Sequence, residues 1–417
     1  MSKNVKTIFM VDDDIAICDL LSQAIIKKGY HFESMNRMDG ALEYIEKIQP
    51  DLILLDLHLP DGSGLHLCED LQKSKRLHDI PIFILTTREF SIERDMALEA
   101  GVTAFIQKPL DLKLFLDQIE EVFSPTIDLK FWGIRGSTPC ANRDNMIYGG
   151  NTSCVQVIIP EAKELLILDS GSGIRNLGND IVSKKDVING RIFITHAHWD
   201  HIQGFPFFKP IYSPDNKFSI HMPRQARSVS SEEVLSGQMT FTYFPVTTEM
   251  LQAKLTYHNQ KPGLQDYGDY QVEFMLSNHP VATAIYKIHC RGKVIVYCPD
   301  NELVPDEYGD SIAFKGHLRE FIKNVDVVIH DGQYDRMNYP SRRNWGHSAW
   351  EDAVDICCES GVKNLFITHH DPDSTDKVLA ALDRKLQEHA GSFHSIQAAR
   401  EGDVFKMKVH AGEPMQT

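Results

Sequence analysis

The chain has 417 residues, 42% hydrophobic and 24% charged, which is ordinary for a soluble globular protein and sufficient for two or three domains. Its net charge of −15 argues against a general affinity for the phosphate backbone of nucleic acids. The eight cysteines form no Cys-x-x-Cys pair, as expected of free thiols in a reducing compartment. No apolar run is long enough to cross a bilayer and Met1–Asn4 does not open a signal peptide, so we expect a cytoplasmic protein that does not bind membranes.

Residues 6–123 alternate short apolar runs with amphipathic stretches of helical period. Predicted strands cover Thr7–Val11, Leu52–Leu55, Ile82–Leu85 and Ala104–Gln107, and predicted helices include Ile15–Lys28 and Met38–Ile48. This βαβα alternation predicts a parallel, doubly wound sheet. In such sheets, functional groups gather at the carboxyl ends of the strands.

Polar residues follow each of these predicted strands. Asp12 and Asp13 follow the first, Asp56 ends the second, and Thr86 and Lys108 follow the later ones. Clustered carboxylates suit Mg²⁺, which prefers oxygen ligands, and a lone carboxylate beside them can accept a phosphoryl group as a nucleophile. The hydroxyl and the ammonium group would then hold the phosphoryl oxygens.

In this order and context, these residues resemble the receiver domain of two-component response regulators, which has a flavodoxin-like (βα)5 fold. The resemblance covers residues 1–123 and implies a cognate histidine kinase as partner, together with a homodimer. The implied roles are Mg²⁺ binding by Asp12, Asp13 and Asp56, phosphoacceptor for Asp56, and switch residues Thr86, Phe105 and Lys108. Residues 124–127 are predicted to be a short linker, because Pro125 cannot extend the preceding helix.

From residue 128 to residue 417 the pattern changes to many short strands, and one loop stands out. Thr195–His201 follows the apolar run Arg191–Ile194 and has the spacing His-x-His-x-Asp-His. Neutral imidazole nitrogens and carboxylate oxygens suit zinc and neighbouring divalent metals. Histidines scattered by chance over a polar loop would rarely adopt this spacing, so the loop predicts a metal site.

Glycine-rich segments precede this loop at Gly133–Pro139 and Asp169–Gly173. Neither matches a phosphate-binding loop, and we interpret both as tight turns that pack beneath the metal site. We expect Asp169 to accept a hydrogen bond from a ligand histidine rather than to bind metal. Phe205, Phe207 and Phe208 could stack a nucleobase, although packing into the core is the favoured interpretation.

Further candidate ligands stand at the ends of later predicted strands. His279 follows Gln271–Leu276, Asp300 follows Lys293–Cys298, and His369 follows Leu365–Thr368. Because strand ends in one sheet converge, we expect these three side chains to join the His-x-His-x-Asp-His loop.

Residues 128–410 thereby resemble the metallo-β-lactamase fold, an αββα sandwich, and within it the branch of ribonuclease Z and cyclic-nucleotide phosphodiesterases. The segment Gly346-His347-Ser348-Ala349 is similar to a Gly-His-Ser-Thr motif of that branch, from which Ala349 departs. Ser348 and Glu351 are predicted to form a capping box that holds His347 ahead of a helix. Asp331 stands where the family usually has a glutamate, which leaves its contact with His347 open.

The resemblance implies two divalent metals, with zinc favoured and manganese or iron as alternatives. One metal would take His196, His198 and His279, the other Asp200, His201 and His369, with Asp300 bridging both. The implied catalytic residues are Asp200, which orients or deprotonates the attacking water, His347, which stabilises charge or protonates the leaving oxygen, and Asp331, which orients His347.

The favoured function is hydrolysis of a small cyclic-nucleotide signal under control of Asp56. A ribonuclease Z-like nuclease is the first alternative, but residues 124–417 hold 30 lysines and arginines against 36 aspartates and glutamates, so a nucleic acid polymer is disfavoured as substrate. The second alternative is a non-hydrolytic, metal-bearing module that binds a ligand or partner.

Residues 219–265 receive no assignment beyond a capped helix near Ser231–Leu235 and the hypothesis that they overhang the site.

Overall fold

The computed structural model describes residues 5–74, 76–77, 80–87, 102–184, 187–225, 229–304 and 312–409. It divides into two compact units, Met1–Ser124 and Pro125–Thr417. Within the described ranges, we find no helix that combines the length and apolarity required for a membrane span.

The N-terminal unit is built on a parallel sheet with the strand order β2-β1-β3-β6-β7. This order is the flavodoxin-like one. The strands are β1 (Thr7–Val11), β2 (His31–Met35), β3 (Leu52–Asp56), β6 (Ile82–Thr86) and β7 (Ala104–Gln107), beside a small ribbon of β4 (His58–Leu59) and β5 (Gly62–Ser63). The central strand β3 is buried along its whole length, which explains its unbroken apolar sequence.

Helices cover both faces of this sheet. One apolar cluster contains residues of α2 (Ala41–Ile48) and α3 (Gly64–Lys73), and the other contains residues of α1 (Ile15–Lys27) and α4 (Leu112–Phe123). Most of the stretch between β6 and β7, residues 88–101, lies outside the described residues. The doubly wound α/β prediction is confirmed.

The C-terminal unit contains two seven-stranded sheets within its described residues. The first has the order β13-β12-β11-β10-β9-β8-β21 and the second the order β14 to β20. The strands of the first are β8 (Thr126–Gly133), β9 (Cys154–Ile158), β10 (Leu165–Leu168), β11 (Asn189–Phe193), β12 (Lys217–Pro223), β13 (Lys254–Gln260) and β21 (Val404–Lys408). Those of the second are β14 (Gln265–Asp266), β15 (Gln271–Leu276), β16 (Ala284–Cys290), β17 (Lys293–Cys298), β18 (Val327–Asp331), β19 (Asn364–Thr368) and β20 (Ser395–Ala398).

A large apolar cluster joins the two sheets face to face, and two further clusters attach helices to the outer faces. The first sheet packs against α5 (Ile174–Lys184) and α7 (Ser231–Gln238), while α6 (Trp199–Ile202) follows β11. The second packs against α8 (Ile312–Phe321), α9 (Trp350–Glu359) and α10 (Asp376–Gln387). Single turns of 3-10 helix occur at Arg143–Asn145, Phe205–Phe207, Lys209–Tyr212, Thr248–Met250, Tyr339–Arg342 and Ala390–Ser392. The predicted αββα sandwich is confirmed.

Two details differ from the sequence-based expectations. The linker predicted at 124–127 is shorter, because β8 begins at Thr126 and Ile127 is fully buried opposite Met407 of β21. In the unassigned stretch 219–265, the described residues include most of β12 and all of β13, which extend the first sheet to its edge.

Candidate functional site

The candidate metal ligands converge because the four strands that they follow end at one edge of the sandwich. His196, His198, Asp200 and His201 follow β11, and the remaining ligands follow β15, β17 and β19. Their donor atoms form groups whose members lie within 4.8 Å of one another: His196, His198, His279 and Asp300 in one, and Asp200, His201 and His369 in another. The sequence analysis assigns these two sets to two metals, and a further group joins His347 with Asp300 and His369.

Asp300 lies between the two groups. Its Oδ2 is 3.7 Å from His196 Nε2 and 3.9 Å from His279 Nε2. Its Oδ1 faces the other group, at 3.0 Å from His201 Nε2 and 3.3 Å from His369 Nε2. One carboxylate thus presents one oxygen to each group, which is the arrangement that a bridging ligand requires.

Asp200 belongs to the second group. Its Oδ2 lies 3.3 Å from His201 Nε2 and 3.1 Å from His369 Nε2, and it accepts a hydrogen bond of 2.8 Å from the backbone N–H of Ser137. The Ser137 contact was not anticipated. The glycine-rich segment Gly133–Pro139, which contains Ser137, gives the only hint, because such turns bring backbone N–H groups close to a site.

The cluster contains buried polar atoms that make no hydrogen bond. Among the described residues, His196 Nε2, His201 Nε2 and Asp300 Oδ1 are buried and make no hydrogen bond. Buried polar atoms are normally paired, so three such atoms at one point indicate a missing group. Imidazole nitrogens and carboxylate oxygens at this spacing fit divalent metals such as zinc.

Neighbouring groups hold two of the imidazoles with Nε2 toward the cluster. Asp169 Oδ2 accepts a 2.7 Å hydrogen bond from His201 Nδ1 and another of 2.9 Å from the Tyr297 hydroxyl. His279 Nδ1 lies 3.0 Å from the carbonyl oxygen of Gly346. A partner on one ring nitrogen sets the tautomer and leaves the other nitrogen available as a ligand.

Electrostatics favour positive charge in the cluster. Burial alone would raise the pKa of Asp200 and of Asp300, but the adjacent imidazoles hold both well below the usual value. Burial would lower the pKa of His369, yet Asp300 and Asp200 raise it to about 9. His196 lies nearer other imidazoles, and burial lowers its pKa. The carboxylates that hold protons on imidazoles would equally favour a divalent cation.

His347 lies beside the cluster. Its ring stacks on that of His369 with centroids 4.7 Å apart, and its Nδ1 lies 2.8 Å from Asp331 Oδ2 and 4.0 Å from Asp300 Oδ2. Asp331 is fully buried at the end of β18, whereas the His347 side chain is 12% exposed. The contact between Asp331 and His347, which the sequence analysis left open, is therefore present.

The predicted capping box at Ser348 and Glu351 is wrong. Ala349 is the N-cap of α9 and makes no side-chain cap. Ser348 Oγ instead donates to the carbonyl oxygen of Asn301 and accepts a 3.0 Å hydrogen bond from the Leu303 N–H. The hydroxyl thus connects the His347 loop to the loop that follows Asp300. Because it makes these tertiary hydrogen bonds, it does not cap the helix.

Glycines allow the loops to approach the imidazoles closely. A Cβ on Gly136 would lie 2.4 Å from the His369 ring, and one on Gly346 would lie 2.2 Å from His279 Nδ1. Gly346 also has a φ of +90°, which disfavours any side chain.

Of the three phenylalanines that follow the His-x-His-x-Asp-His loop, Phe205 and Phe208 are fully buried and Phe207 is half exposed.

Glu302 is a residue that the sequence analysis missed. Its carboxylate accepts hydrogen bonds from the Tyr339 hydroxyl and from the backbone N–H groups of Asn344 and Gly346, at 2.7 to 2.9 Å. It therefore shapes the loop that leads to His347. Its position two residues after Asp300 was the only available signal.

A second cluster occupies the carboxyl ends of β1, β3 and β7. Lys108 Nζ lies 2.7 Å from Asp12 Oδ2 and 2.5 Å from Asp56 Oδ2, and Asp13 completes a three-carboxylate group. Burial would lower the Lys108 pKa, but the two carboxylates raise it, and burial raises the pKa of Asp12. Asp14 does not join the group, because its side chain caps α1. The group can hold a cation beside Asp56.

The predicted switch residues lie near this cluster. Thr86 is buried at the end of β6, and its carbonyl oxygen accepts a 2.7 Å hydrogen bond from the Lys108 N–H. Phe105 lies on β7 and packs partly buried against the core. Residues 88–101, which lie between Thr86 and Phe105 in the chain, are outside the described residues.

Comparison with known families follows the division into two units. Residues 8–120 match the model of the response regulator receiver domain, and residues 184–370 match that of the beta-lactamase superfamily domain. The chain joins a receiver domain to a metallo-beta-lactamase-fold domain. The receiver domain is 34% identical over 119 residues to the response regulator MprA of Mycobacterium leprae (strain TN), a match that covers 28% of this chain and 51% of that protein. The match thus spans about half the length of that curated relative.

Two solved structures resemble the metallo-beta-lactamase-fold domain. The metallo-beta-lactamase fold protein YhfI from Bacillus subtilis is 18% identical, with a TM-score of 0.49, covering 68% of this chain and 100% of that one. A diphosphatase from the PhnP family is 17% identical, with a TM-score of 0.49, covering 69% of this chain and 100% of that one. For the receiver domain, chemotaxis protein CheY4 of Vibrio cholerae is 24% identical, with a TM-score of 0.27, covering 28% and 98% of the two chains.

Proposed function

We propose that this chain is a response regulator whose output domain is a dinuclear-metal phosphodiesterase that hydrolyses a small cyclic nucleotide. The observation that carries the proposal is the position of Asp300, with one oxygen toward His196 and His279 and the other toward His201 and His369. In this proposal His196, His198 and His279 would hold one metal, Asp200, His201 and His369 would hold the other, and Asp300 would be a ligand shared by the two sites. Zinc suits these donors best, with manganese or iron as alternatives.

Two bound divalent metals would polarise a phosphoryl oxygen and lower the pKa of water. Asp200, whose Oδ2 accepts a hydrogen bond from the Ser137 N–H, would orient the attacking water or take its proton. His347 would donate a proton to the leaving oxygen or stabilise the charge that develops at phosphorus. Asp331 would hold the His347 ring through Nδ1, which leaves Nε2 for the substrate.

Charge supports a small substrate over RNA. Residues 124–417 carry more acidic than basic residues, 36 against 30, and the whole chain has a net charge of −15. Proteins that grip a nucleic acid polymer usually present a basic surface for its phosphates. A diffusible cyclic nucleotide needs only local contacts. Hydrolysis of such a nucleotide would also let the receiver domain regulate the concentration of a signalling molecule.

In the receiver domain, we propose that Asp12, Asp13 and Asp56 bind Mg²⁺ and that Asp56 accepts the phosphoryl group. Lys108 already contacts both Asp12 and Asp56 and would neutralise the added charge. Thr86 and Phe105 would respond to the modification. A histidine kinase is the proposed phosphoryl donor, and a homodimer the proposed assembly.

The experiment that tests this function combines metal analysis with turnover. Purified protein is assayed for metal content per chain and for hydrolysis of a panel of cyclic mononucleotides and dinucleotides. Two metals per chain and hydrolysis of at least one panel member are expected. Metal-loaded protein that hydrolyses none of them, but cleaves an RNA with a 3′ extension, would establish the nuclease alternative. No hydrolysis of either would favour the non-hydrolytic module.

A further inference from the structure

Two tryptophans beside the candidate metal centre are exposed. The chain has four tryptophans, of which Trp132 and Trp350 are 9% and 8% exposed. In contrast, Trp199 is 78% exposed and Trp345 is 61% exposed. Large exposed aromatic side chains mark surfaces that bind another molecule more often than single exposed aliphatic ones do.

Both tryptophans adjoin residues that contact His279. Trp199 follows His198, whose Nδ1 lies 3.3 Å from His279 Nε2. Trp345 precedes Gly346, whose carbonyl oxygen lies 3.0 Å from His279 Nδ1. The two chain segments that carry the indoles therefore flank His279, one on each ring nitrogen. A protein partner bound over both indoles would also cover His279, a proposed metal ligand. A substrate has to reach His279, so the two indoles suit a substrate better than a protein partner.

A cavity of about 380 Å³ opens beside His279. Its lining combines an aromatic ring, a guanidinium group and amide groups: Phe314, Arg343, Asn278 and Asn344 are among the residues that bound it. This volume lies within the range of small-molecule sites, and the mixture of stacking and hydrogen-bonding groups suits a heteroaromatic base. Trp345 directly follows Asn344 in the chain, so one of the two exposed tryptophans is the neighbour of a residue that lines the cavity.

We propose that Trp199 and Trp345 stack the two bases of a dinucleotide whose phosphodiester is cleaved between them, so that a cyclic dinucleotide is the preferred substrate class. This inference rests on the proposed phosphodiesterase function. A base stacks on an aromatic ring whatever its identity, and two platforms on opposite flanks of His279 match a phosphodiester with a nucleoside on each side. A 3′,5′-cyclic mononucleotide carries one base and would occupy one platform only.

The test compares three phosphodiesters in the full-length, metal-loaded protein: a cyclic dipurine dinucleotide, a 3′,5′-cyclic purine mononucleotide, and methyl riboside 3′,5′-cyclic phosphate, which has no base. The variants are Trp199→Ala, Trp345→Ala and the corresponding Trp→Phe pair. Each alanine variant should raise KM for the dinucleotide about tenfold or more with little change in kcat. Each phenylalanine variant should restore most of the loss, and neither alanine variant should alter hydrolysis of the base-free compound.

Leu264→Ala is the matched control, because Leu264 is 57% exposed in the turn between β13 and β14, toward the other end of β15 from His279. It should leave all three KM values unchanged. A wild-type KM for the dinucleotide in either alanine variant overturns the inference, as does an equal rise for the base-free compound. In both cases the retained hydrolysis leaves the phosphodiesterase proposal standing. Wild-type protein that cleaves none of the three compounds overturns the inference together with the proposed function.

Discussion

The Nδ1 atom of His347 lies 2.8 Å from Oδ2 of Asp331, and this pair stands directly beside the candidate metal cluster. Both oxygens of Asp331 are occupied, since Oδ1 accepts from the Gln333 N–H at 3.0 Å and Oδ2 also accepts from the Asn301 N–H at 3.2 Å. A carboxylate held in this way favours a proton on Nδ1 of the imidazole, and a second proton on Nε2 would make His347 a proton donor toward the substrate. The ring is thus oriented by protein contacts and does not need a metal to hold it.

The first prediction follows from that orientation. His347→Ala should keep two metals per chain and lose roughly 10²-fold or more in kcat, because it removes a group that acts on the transition state. Metal analysis and turnover of the best cyclic nucleotide check the two halves separately. His289→Ala, which changes a partly exposed histidine paired with Glu273 on β15, is the control. Loss of metal in His347→Ala would make His347 a ligand and contradict the assignment.

The second prediction concerns the bridging position. Asp300→Ala removes the carboxylate whose two oxygens face the two groups, so the content should fall from two metals per chain to one or fewer, and most hydrolysis should be lost. Inductively coupled plasma mass spectrometry of dialysed protein measures the content. A variant that retained two tightly bound metals would show that Asp300 does not bridge them.

The third prediction concerns Asp169, which contacts His201 but not the cluster itself. Asp169→Asn should weaken metal binding by about 10- to 100-fold, because the amide no longer accepts the His201 proton in the same way. Competition with a chelator measures the affinity. Glu164→Gln, which removes the salt-bridge partner of Arg191 just before β10, is the matched control and should bind metal normally. Unchanged affinity in Asp169→Asn would reduce Asp169 to a packing role.

The sequence predicted the fold wherever a local pattern carries the information. The apolar run of β3 predicts a buried parallel strand, and the ligand histidines follow strand ends that must converge. The capping box failed because Ser348 serves contacts with Asn301 and Leu303, more than forty residues away in the chain. Glu302 and the Ser137 N–H were missed for the same reason, since nothing local marks a tertiary hydrogen bond.

The fourth prediction concerns pH and His221. This side chain is buried, stacked between Phe193 and His258, and burial followed by the charge of His258 lowers its pKa from 6.5 to about 3. The folded state therefore binds fewer protons than the unfolded state, so stability is lost as pH falls below 6.5 toward 3. Between pH 7 and pH 5 the loss from this group is about 2 kcal/mol.

Comparison of His221→Phe with wild type isolates this contribution. Urea unfolding at pH 7 and at pH 5 measures the free energy of unfolding of the metallo-beta-lactamase-fold domain. The decrease in this free energy from pH 7 to pH 5 should be about 2 kcal/mol smaller in His221→Phe than in wild type. His317→Gln, at an exposed position of α8, should retain the wild-type pH dependence. An identical fall in wild type and His221→Phe would mean that other groups set the acid sensitivity.

The last prediction concerns phosphorylation of Asp56 in the receiver domain and its effect on hydrolysis by the output domain. Asp56 should accept a phosphoryl group from acetyl phosphate only when Mg²⁺ is present, because three carboxylates and one lysine cannot otherwise balance nearly two added negative charges. Asp56→Ala should remain unmodified, whereas Asp117→Ala, an exposed aspartate on α4, should be modified like wild type. Lys108→Ala should be modified more slowly, since it lacks the cation that contacts Asp56.

The consequence for the output domain is measured as turnover of the best cyclic nucleotide before and after modification. An allosteric coupling of about 1–3 kcal/mol would change kcat/KM or its components by roughly 5- to 150-fold in wild type and Asp117→Ala, and leave Asp56→Ala unchanged. The direction of the change identifies phosphorylation as activating or inhibiting. Equal kinetic constants in all three proteins, with modification of Asp56 verified by mass spectrometry, would show that the receiver domain controls location or partner choice and not catalysis.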